Sequence, residues 1–553
     1  MNLQELQQAA ADWLAQDPDA ETRAELTQLI DSADEAGLRA RFETRIGFGT
    51  AGLRGELGAG PNRMNRVLVA QAAAGIARHM LETGGKSVVI GFDGRINSDV
   101  FARDSAEIFA GAGLEVFLFD GFVPTPLLAF ATRRGPLSEP NAGRPFDVGV
   151  MVTASHNPPR DNGYKVYAGS LGGSQIISPI DKQIAAHIDA VAATLTFAEL
   201  PKSSQYTVGG AEYAAEYVSH TATLVAASDQ RLHPAITFTA MHGVGWETTR
   251  AVFAAAGIPE PTVVTQQISP DGNFPTVAFP NPEEPGALDL AFQTASASGS
   301  KLILAVDPDA DRLAVAVPDD SETLGWRKLT GDQIGFLLGA TVAERAAAAG
   351  MTGNLACSIA SSRALERVAE ANGLGFRQTL TGFKWISKVP DLLFGYEEAL
   401  GYCLDPRATP DKDGISAALV VADLAARLAA RGQTIDDRMV ELYAKYGHWA
   451  TSQITLRFDN VAKAAAIVAR IRATPPASLL GESPRFTDLA HGTEQLPATD
   501  GLMFEFADGR HALIRPSGTE PKLKCYLEAT GQSQQDATLK LSALEAAFRE
   551  VLA

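Results

Sequence analysis

Ser87-Val-Val-Ile-Gly91, a helical pattern from Val100 to Gly111, and then Leu114-Glu-Val-Phe-Leu-Phe119 form the stretch on which the fold turns. Two short runs of β-branched and aromatic residues flanking a helical segment predict a βαβ unit, because parallel strands need a crossover that a helix can supply. Outward from this stretch, strands are predicted over Asp147 to Val152, Ile236 to Ala240, Leu302 to Val306 and Leu313 to Val317, among Ala-rich helical patterns. That alternation predicts mainly parallel or mixed α/β sheets with helices on their faces. The first 22 residues, without Lys or Arg, read as a polar helix, and Ala537 to Leu552 read as an amphipathic one.

The chain has 553 residues, 46% of them hydrophobic and 20% charged. At about 100–200 residues per domain it is too long for one core. Pro-, Ser- or charge-rich joints near 198–210, 318–330 and 430–450 predict four blocks, 1–200, 201–322, 323–440 and 441–553. The net charge of −18 argues against nucleic acid and anionic membranes as partners, since the long-range field repels both. An anionic ligand then needs locally concentrated cations. Cys357, Cys403 and Cys525 are far apart and show no CxxC spacing, which fits a reducing compartment and neither a disulfide framework nor a zinc site. The apolar run from Ile415 to Ala430 is broken by Asp423 and Arg427, and no basic, apolar leader is visible, so a cytoplasmic chain is expected.

Three motifs can carry chemistry. Thr153-Ala-Ser-His-Asn-Pro158 follows a predicted strand, and Asn162-Gly-Tyr-Lys165 comes next. A serine at the carboxyl end of a strand is presented to a crevice ligand. Either Ser155 is a nucleophile or the segment is a turn with Ser155 and Asn157 capping backbone groups. The glycines of a G-x-S-x-G elbow are missing, which counts against acyl transfer. In Asp307-Pro-Asp-Ala-Asp-Arg312, an extended chain would aim Asp307, Asp309 and Asp311 the same way, toward one hard cation. Without thiol or imidazole nearby, Mg²⁺ suits them better than zinc. A solvated acidic turn is the alternative, with three like charges in mutual repulsion. In Arg515-Pro-Ser-Gly-Thr-Glu-Pro-Lys522, Arg515, Ser517, Gly518, Thr519 and Lys522 make either a phosphate clamp or an ordinary hairpin loop. The sequence contains neither a Walker A loop nor a G-x-G-x-x-G fingerprint, so ATP and NAD are not expected. Arg54 in Gly49 to Gly55, Lys384 in Thr381 to Trp385, and Glu397 and Glu398 in Gly395 to Gly401 complete the inventory.

Taken in order, TASHNP, DPDADR, YEEALG and RPSGTEP resemble the motifs of the α-D-phosphohexomutase superfamily, and GFGTAGLRG, NGYKVY, TLTGFKW and DKDGISAA are most similar to its phosphoglucomutase/phosphopentomutase subgroup. The resemblance implies four domains around a central cleft, the first three of related topology and the fourth smaller. It implies a serine phosphorylated at Ser155, Mg²⁺ on Asp307, Asp309, Asp311 and the phosphoserine, Arg312 near the same phosphate, and Lys165 as general acid/base. Arg515, Ser517, Gly518 and Thr519 would hold the unreacting phosphate, and Glu397 a sugar hydroxyl; His156, Arg54, Arg95 and Lys384 are further carry-overs. The implied activity is interconversion of glucose 1-phosphate and glucose 6-phosphate through a sugar 1,6-bisphosphate, with mannose or pentose phosphates as the alternative main substrates. Ala399 stands where the common pattern has a serine, which implies loosened sugar selectivity. Two readings from other classes compete: a phosphatase with Asp307 as nucleophile, and a non-catalytic sugar-phosphate sensor. Monomer and homodimer are both compatible with the sequence.

Overall fold

The computed structural model describes residues 1–49, 51–137, 143–226, 233–516 and 522–553. By contact density the chain forms two units, Met1–Lys328 with Asp405–Ala426, and Leu329–Leu404 with Arg427–Ala553.

The first unit holds two sheets. One has the order Leu53–Glu56, Asp161–Ala168, Val148–Val152, Ser87–Phe92, Glu115–Phe119, Thr207–Gly209, with Ser174–Gln175 added on Asp161–Ala168. The other runs Trp326–Lys328, Leu313–Pro318, Leu302–Val306, Ile236–Thr239, Thr262–Val263. The βαβ unit predicted around residue 100 is present: Ser87–Phe92 and Glu115–Phe119 are parallel and the helix Ser98–Gly111 connects them. Every residue of Ser87–Phe92 and Val148–Val152 is buried, as expected of strands covered on both faces. The helix Arg66–Thr83 is capped by Asn65, whose side chain accepts from Leu68 N at 2.9 Å. It crosses the helix Ile180–Thr194 at Gly75, where a Cβ would lie 2.5 Å from Ile188 Cγ1, so the close approach requires glycine.

The second unit holds a four-stranded sheet, Gly375–Thr379, Asn354–Ser358, Leu392–Glu397, Gly401–Cys403, and a five-stranded antiparallel sheet, His448–Arg457, Lys522–Gly531, His511–Pro516, Leu502–Glu505, Arg485–Asp488. The stretch 430–450, expected as a joint, contains the helix Ile435–Tyr446. Asp437 and Glu441 face water and Arg438 pairs with Glu344, while Ile435, Met439, Leu442 and Tyr446 at helical spacing are buried.

The three mixed sheets repeat one arrangement that no sequence repeat announces. Val148–Val152, Leu302–Val306 and Leu392–Glu397 each pair in parallel on one side and antiparallel on the other, with the next strand of the chain. The tips of these three hairpins are the serine, aspartate and glutamate motifs, and each holds one non-glycine residue at positive φ: Ser155 (50°), Ala310 (57°) and Leu400 (64°). Left-handed backbone at such residues is costly and collects at functional loops. No helix among the described residues is long and apolar enough to cross a membrane.

Candidate active site

In the first unit, Ser155 is buried and its Oγ donates to Asp307 Oδ2 at 2.6 Å. A chain of hydrogen bonds holds its backbone: Ser155 N donates to Thr153 Oγ1 (2.8 Å), and Thr153 Oγ1 donates to Asp93 Oδ2 (2.6 Å). The Arg95 guanidinium donates to the carbonyls of Ser155 and Asn157 through Nη2 and to those of Pro158 and Asp161 through Nη1. Arg95 thus braces the serine loop with four backbone contacts. Arg54 is at the solvent-exposed edge and donates to Asn157 Oδ1 at 3.2 Å. His156 Nδ1 is 3.1 Å from Ser155 Oγ. Burial, with Arg312 and Arg54 nearby, pushes its pKa well below the usual histidine value, so the imidazole is neutral.

Asp307, Asp309 and Asp311 are each 0% exposed, and one carboxylate oxygen from each lies within 4.8 Å of the others. They converge through a turn and not through the extended chain expected from the sequence: Ala310 N donates to Asp307 O at 2.8 Å, and the left-handed Ala310 brings Asp311 back toward Asp307. Lys165 Nζ donates to Asp309 Oδ2 (2.6 Å) and Asp311 Oδ2 (2.9 Å), Lys412 Nζ to Asp311 Oδ2 (2.6 Å), and Thr125 Oγ1 to Asp309 Oδ2 (2.6 Å). Asp309 Oδ1 and Asp311 Oδ1 are buried and accept no hydrogen bond. Burial raises the Asp307 carboxyl well above the ordinary value, and the Asp309 and Asp311 charges add to it. Burial acts the same way on Asp309 and Asp311, but Lys165 and Lys412 outweigh it and keep both below that value. Lys165 in turn is held protonated, because Asp309 and Asp311 outweigh the burial that disfavours its charge. Arg312 donates its backbone N–H to Asp307 Oδ1 (3.0 Å), and its guanidinium lies 3.7 Å from Asp311 Oδ1.

In the second unit, Glu397 Oε1 accepts from Gly382 N at 2.6 Å, which ties the glutamate loop to the turn that begins the short helix Phe383–Ile386 with Lys384. Glu398 turns the other way: its Oε2 accepts from Ser358 Oγ and Ser361 Oγ, both at 3.0 Å, so this carboxylate fastens the loop to the end of Asn354–Ser358. Trp385 and Leu380 pack in one cluster with Leu513 and Tyr526 of the antiparallel sheet. Arg515 and Lys522 stand at the ends of the hairpin strands His511–Pro516 and Lys522–Gly531; Ser517, Gly518 and Thr519 lie outside the described residues.

Asp332, at the start of the helix Gly331–Ala348, accepts from Ser362 N (2.7 Å) and Tyr396 Oη (3.0 Å) beneath the same loop. Burial lifts its pKa to about 7. The folded protein therefore holds a proton that the unfolded chain releases between about pH 4 and 7, and stability falls as pH rises through that window. Asp332→Asn keeps the acceptor oxygen and removes the titration, so the melting temperature of the variant should gain on the native one between pH 5 and 8. A difference that stays constant over that range would count against the raised carboxyl.

Thr125 and Asp93 were not legible as functional residues, and Lys412 stood within the DKDGISAA resemblance without a role of its own. In the structure the segment Asp411-Lys-Asp-Gly414 forms a helix-capping turn, with Asp413 accepting from Ile415 N and Ser416 N. Thr125 lies between two prolines and Asp93 in a plain strand-end loop, and only tertiary contacts mark them.

Sequence profiles of the phosphoglucomutase/phosphomannomutase family match the chain in four consecutive pieces: alpha/beta/alpha domain I over residues 45–194, domain II over 215–321, domain III over 330–446 and the C-terminal domain over 454–546. The chain is 46% identical over 494 residues to a Haemophilus influenzae protein named "Probable phosphomannomutase", covering 88% of this chain and 98% of that one. It is 33% identical over 577 residues to the phosphopentomutase of Homo sapiens, covering 95% and 91%. Its fold is similar to that of a phosphoglucomutase/phosphomannomutase family protein from Burkholderia thailandensis, with a TM-score of 0.68 at 21% identity, covering 90% and 95%.

Proposed function

The chain belongs to the phosphoglucomutase/phosphomannomutase family and is a phosphosugar mutase by that membership, and we propose that it interconverts mannose 1-phosphate with mannose 6-phosphate and ribose 1-phosphate with ribose 5-phosphate through a phosphoserine at Ser155. Glucose 1-phosphate, which the sequence motifs put first, becomes a side substrate, because the relatives at 46% and 33% identity are named for mannose and pentose phosphates. The observation that carries the reading is the buried Ser155 hydroxyl, 2.6 Å from the first of three converging carboxylates.

The residues fit a hard dication, since two buried aspartate oxygens are without a hydrogen-bond donor and, among the described residues, only the three carboxylates converge. The His156 imidazole, which the sequence reading did not place near them, lies 3.9 Å from Asp307 Oδ2 and outside that group. Asp307, Asp309 and Asp311 would hold Mg²⁺, which when bound offsets charge on the oxygens of the transferring phosphoryl group. In the first transfer the bond from phosphorus to Ser155 Oγ breaks as a sugar hydroxyl oxygen bonds to phosphorus. Lys165, protonated, gives its proton to the departing Oγ and takes the hydroxyl proton in return. The bisphosphate reverses ends, and the second transfer restores the phosphoserine. Lys412 and Arg312 add positive charge beside the carboxylates. Arg515, Ser517, Gly518, Thr519 and Lys522 bind the unreacting phosphate, Glu397 accepts from a sugar hydroxyl, and Glu398 positions the loop.

The test is kcat/KM for mannose, ribose and glucose 1-phosphates in the native enzyme and in Ala399→Ser. Without a hydroxyl at 399 the site leaves no partner unpaired when a sugar hydroxyl is missing, so selectivity should be low. The added hydroxyl should raise the hexose-to-pentose ratio by roughly 2- to 12-fold, the worth of one neutral hydrogen bond. A native preference for one sugar exceeding ~10⁴-fold contradicts this account.

A further inference from the structure

Three consecutive charged residues, Asp411, Lys412 and Asp413, are buried together in the first unit although they come from a distant part of the chain. Each side chain has its own anchor. Tyr167 Oη and Gln175 Nε2 donate to Asp411 Oδ2 at 2.8 and 2.9 Å. Tyr217 Oη lies 2.9 Å from both oxygens of Asp413. Between them the Lys412 ammonium reaches Asp311 Oδ2 at 2.6 Å. Gly414 N donates to Ala310 O, the left-handed residue of the aspartate turn, and a Cβ on Gly414 would lie 2.3 Å from Arg312 O, so backbone meets backbone without clearance.

The two tyrosines come from different elements. Tyr167 is in Asp161–Ala168, two residues after Lys165 and therefore on the same face of the strand; Tyr217 is in the helix Ala211–Ala222, packed edge-on against Phe130 at 5.6 Å. Both are buried, and their hydroxyls are directed to Asp411 and Asp413. A buried ammonium on a four-carbon stem has rotamer freedom that its own backbone does not remove. The segment that carries it is fixed on either side by a tyrosine.

We propose that Tyr217 and Tyr167 are positioning residues for phosphoryl transfer, clamping Asp413 and Asp411 so that Lys412 is held on Asp311. This rests on the role given to Lys412 above. Tyr217→Phe keeps the ring and its packing, and Asp413 Oδ1 keeps Ile415 N and Ser416 N, so the variant should fold. Asp413 Oδ2 loses the donor that Tyr217 supplied, so the melting temperature should fall by the cost of one buried acceptor.

Two measurements test the clamp. In the first, kcat and KM are determined for Tyr217→Phe, Lys412→Ala and the double variant. The expected result is a fall in kcat of about 10- to 100-fold for Tyr217→Phe, the scale of a misplaced catalytic group, with KM little changed and no further fall when Tyr217→Phe is added to Lys412→Ala. Equal losses from Tyr217→Phe in both backgrounds overturn the proposal while leaving the mutase reading intact. Native kcat in Lys412→Ala overturns the role of Lys412 and the proposal with it. In the second, lysine acylation by acetic anhydride is followed by mass spectrometry without any substrate. Lys412 should be protected in the native protein and labelled faster in Tyr217→Phe; unchanged protection overturns the clamp whatever the activity.

Discussion

Ser155→Ala should lower kcat for phosphosugar interconversion on the order of 10³-fold or more, with the melting temperature almost unmoved. The size follows from the role: a covalent carrier divides one transfer into two, and removing its oxygen removes both steps at once. The small structural effect follows from the geometry. The loop at Ser155 is held by contacts to its backbone, from Thr153 and from the four donations of Arg95, none of which needs the hydroxyl. The left-handed φ of 50° is as costly for serine as for alanine, so the substitution leaves that strain as it was. Asp307 loses one donor and keeps Arg312 N. Steady-state assays with added sugar 1,6-bisphosphate, together with intact-mass detection of a phosphorylated fraction in the native protein only, check the prediction. Near-native kcat in Ser155→Ala rules the phosphoserine cycle out.

What the sequence disclosed about this site is the part written in local order. Apolar strands running into TASHNP and DPDADR place Ser155 and the three aspartates at strand ends, and there the structure has them. The means of convergence was not legible. Alternation along an extended chain would also aim the aspartates together, and only the turn at Ala310, with its positive φ, distinguishes the two. The repeated hairpin of the three mixed sheets is invisible for a different reason. It is a rule of pairing, parallel on one side and antiparallel on the other, which many apolar strands satisfy without resembling one another.

Residues that act across long sequence separations were lost. Thr125 meets Asp309 184 positions away and Lys412 meets Asp311 101 positions away; no motif contains Thr125, and the DKDGISAA run that contains Lys412 gives the lysine no role. Glu398 reads beside Glu397 as a second hydroxyl acceptor, and one of its oxygens, Oε2, also accepts from Ser358 and Ser361, partners which periodicity gives no reason to associate with it. The helix Ile435–Tyr446 was obscured by its own surface, because the charges of Asp436, Asp437, Arg438 and Glu441 dominate a stretch whose buried stripe is only four residues.

Removing divalent metal should abolish turnover, Mg²⁺ should restore it, and Asp309→Asn should weaken the apparent Mg²⁺ affinity by at least ~10-fold, the lower end of what loss of a supporting group costs. Three buried carboxylates face the cations of Lys165, Lys412 and Arg312, and this arrangement leaves Asp309 Oδ1 and Asp311 Oδ1 without a hydrogen bond, Arg312 standing 3.7 Å from the latter. A buried acceptor without a partner is costly, and a dication coordinated by one oxygen from each residue relieves it. Asparagine at 309 keeps the acceptor that Thr125 and Lys165 use but lacks the charge, so the fold should survive while metal affinity falls. Binding linkage gives a readout independent of catalysis. At a free Mg²⁺ concentration of 100 times its dissociation constant, the native protein should gain about 2.7 kcal/mol, visible as a raised melting temperature. Asp309→Asn should need a proportionately higher concentration for the same shift. Full activity in rigorously metal-free buffer, or a melting temperature indifferent to Mg²⁺ in the native protein, would remove the metal from this site.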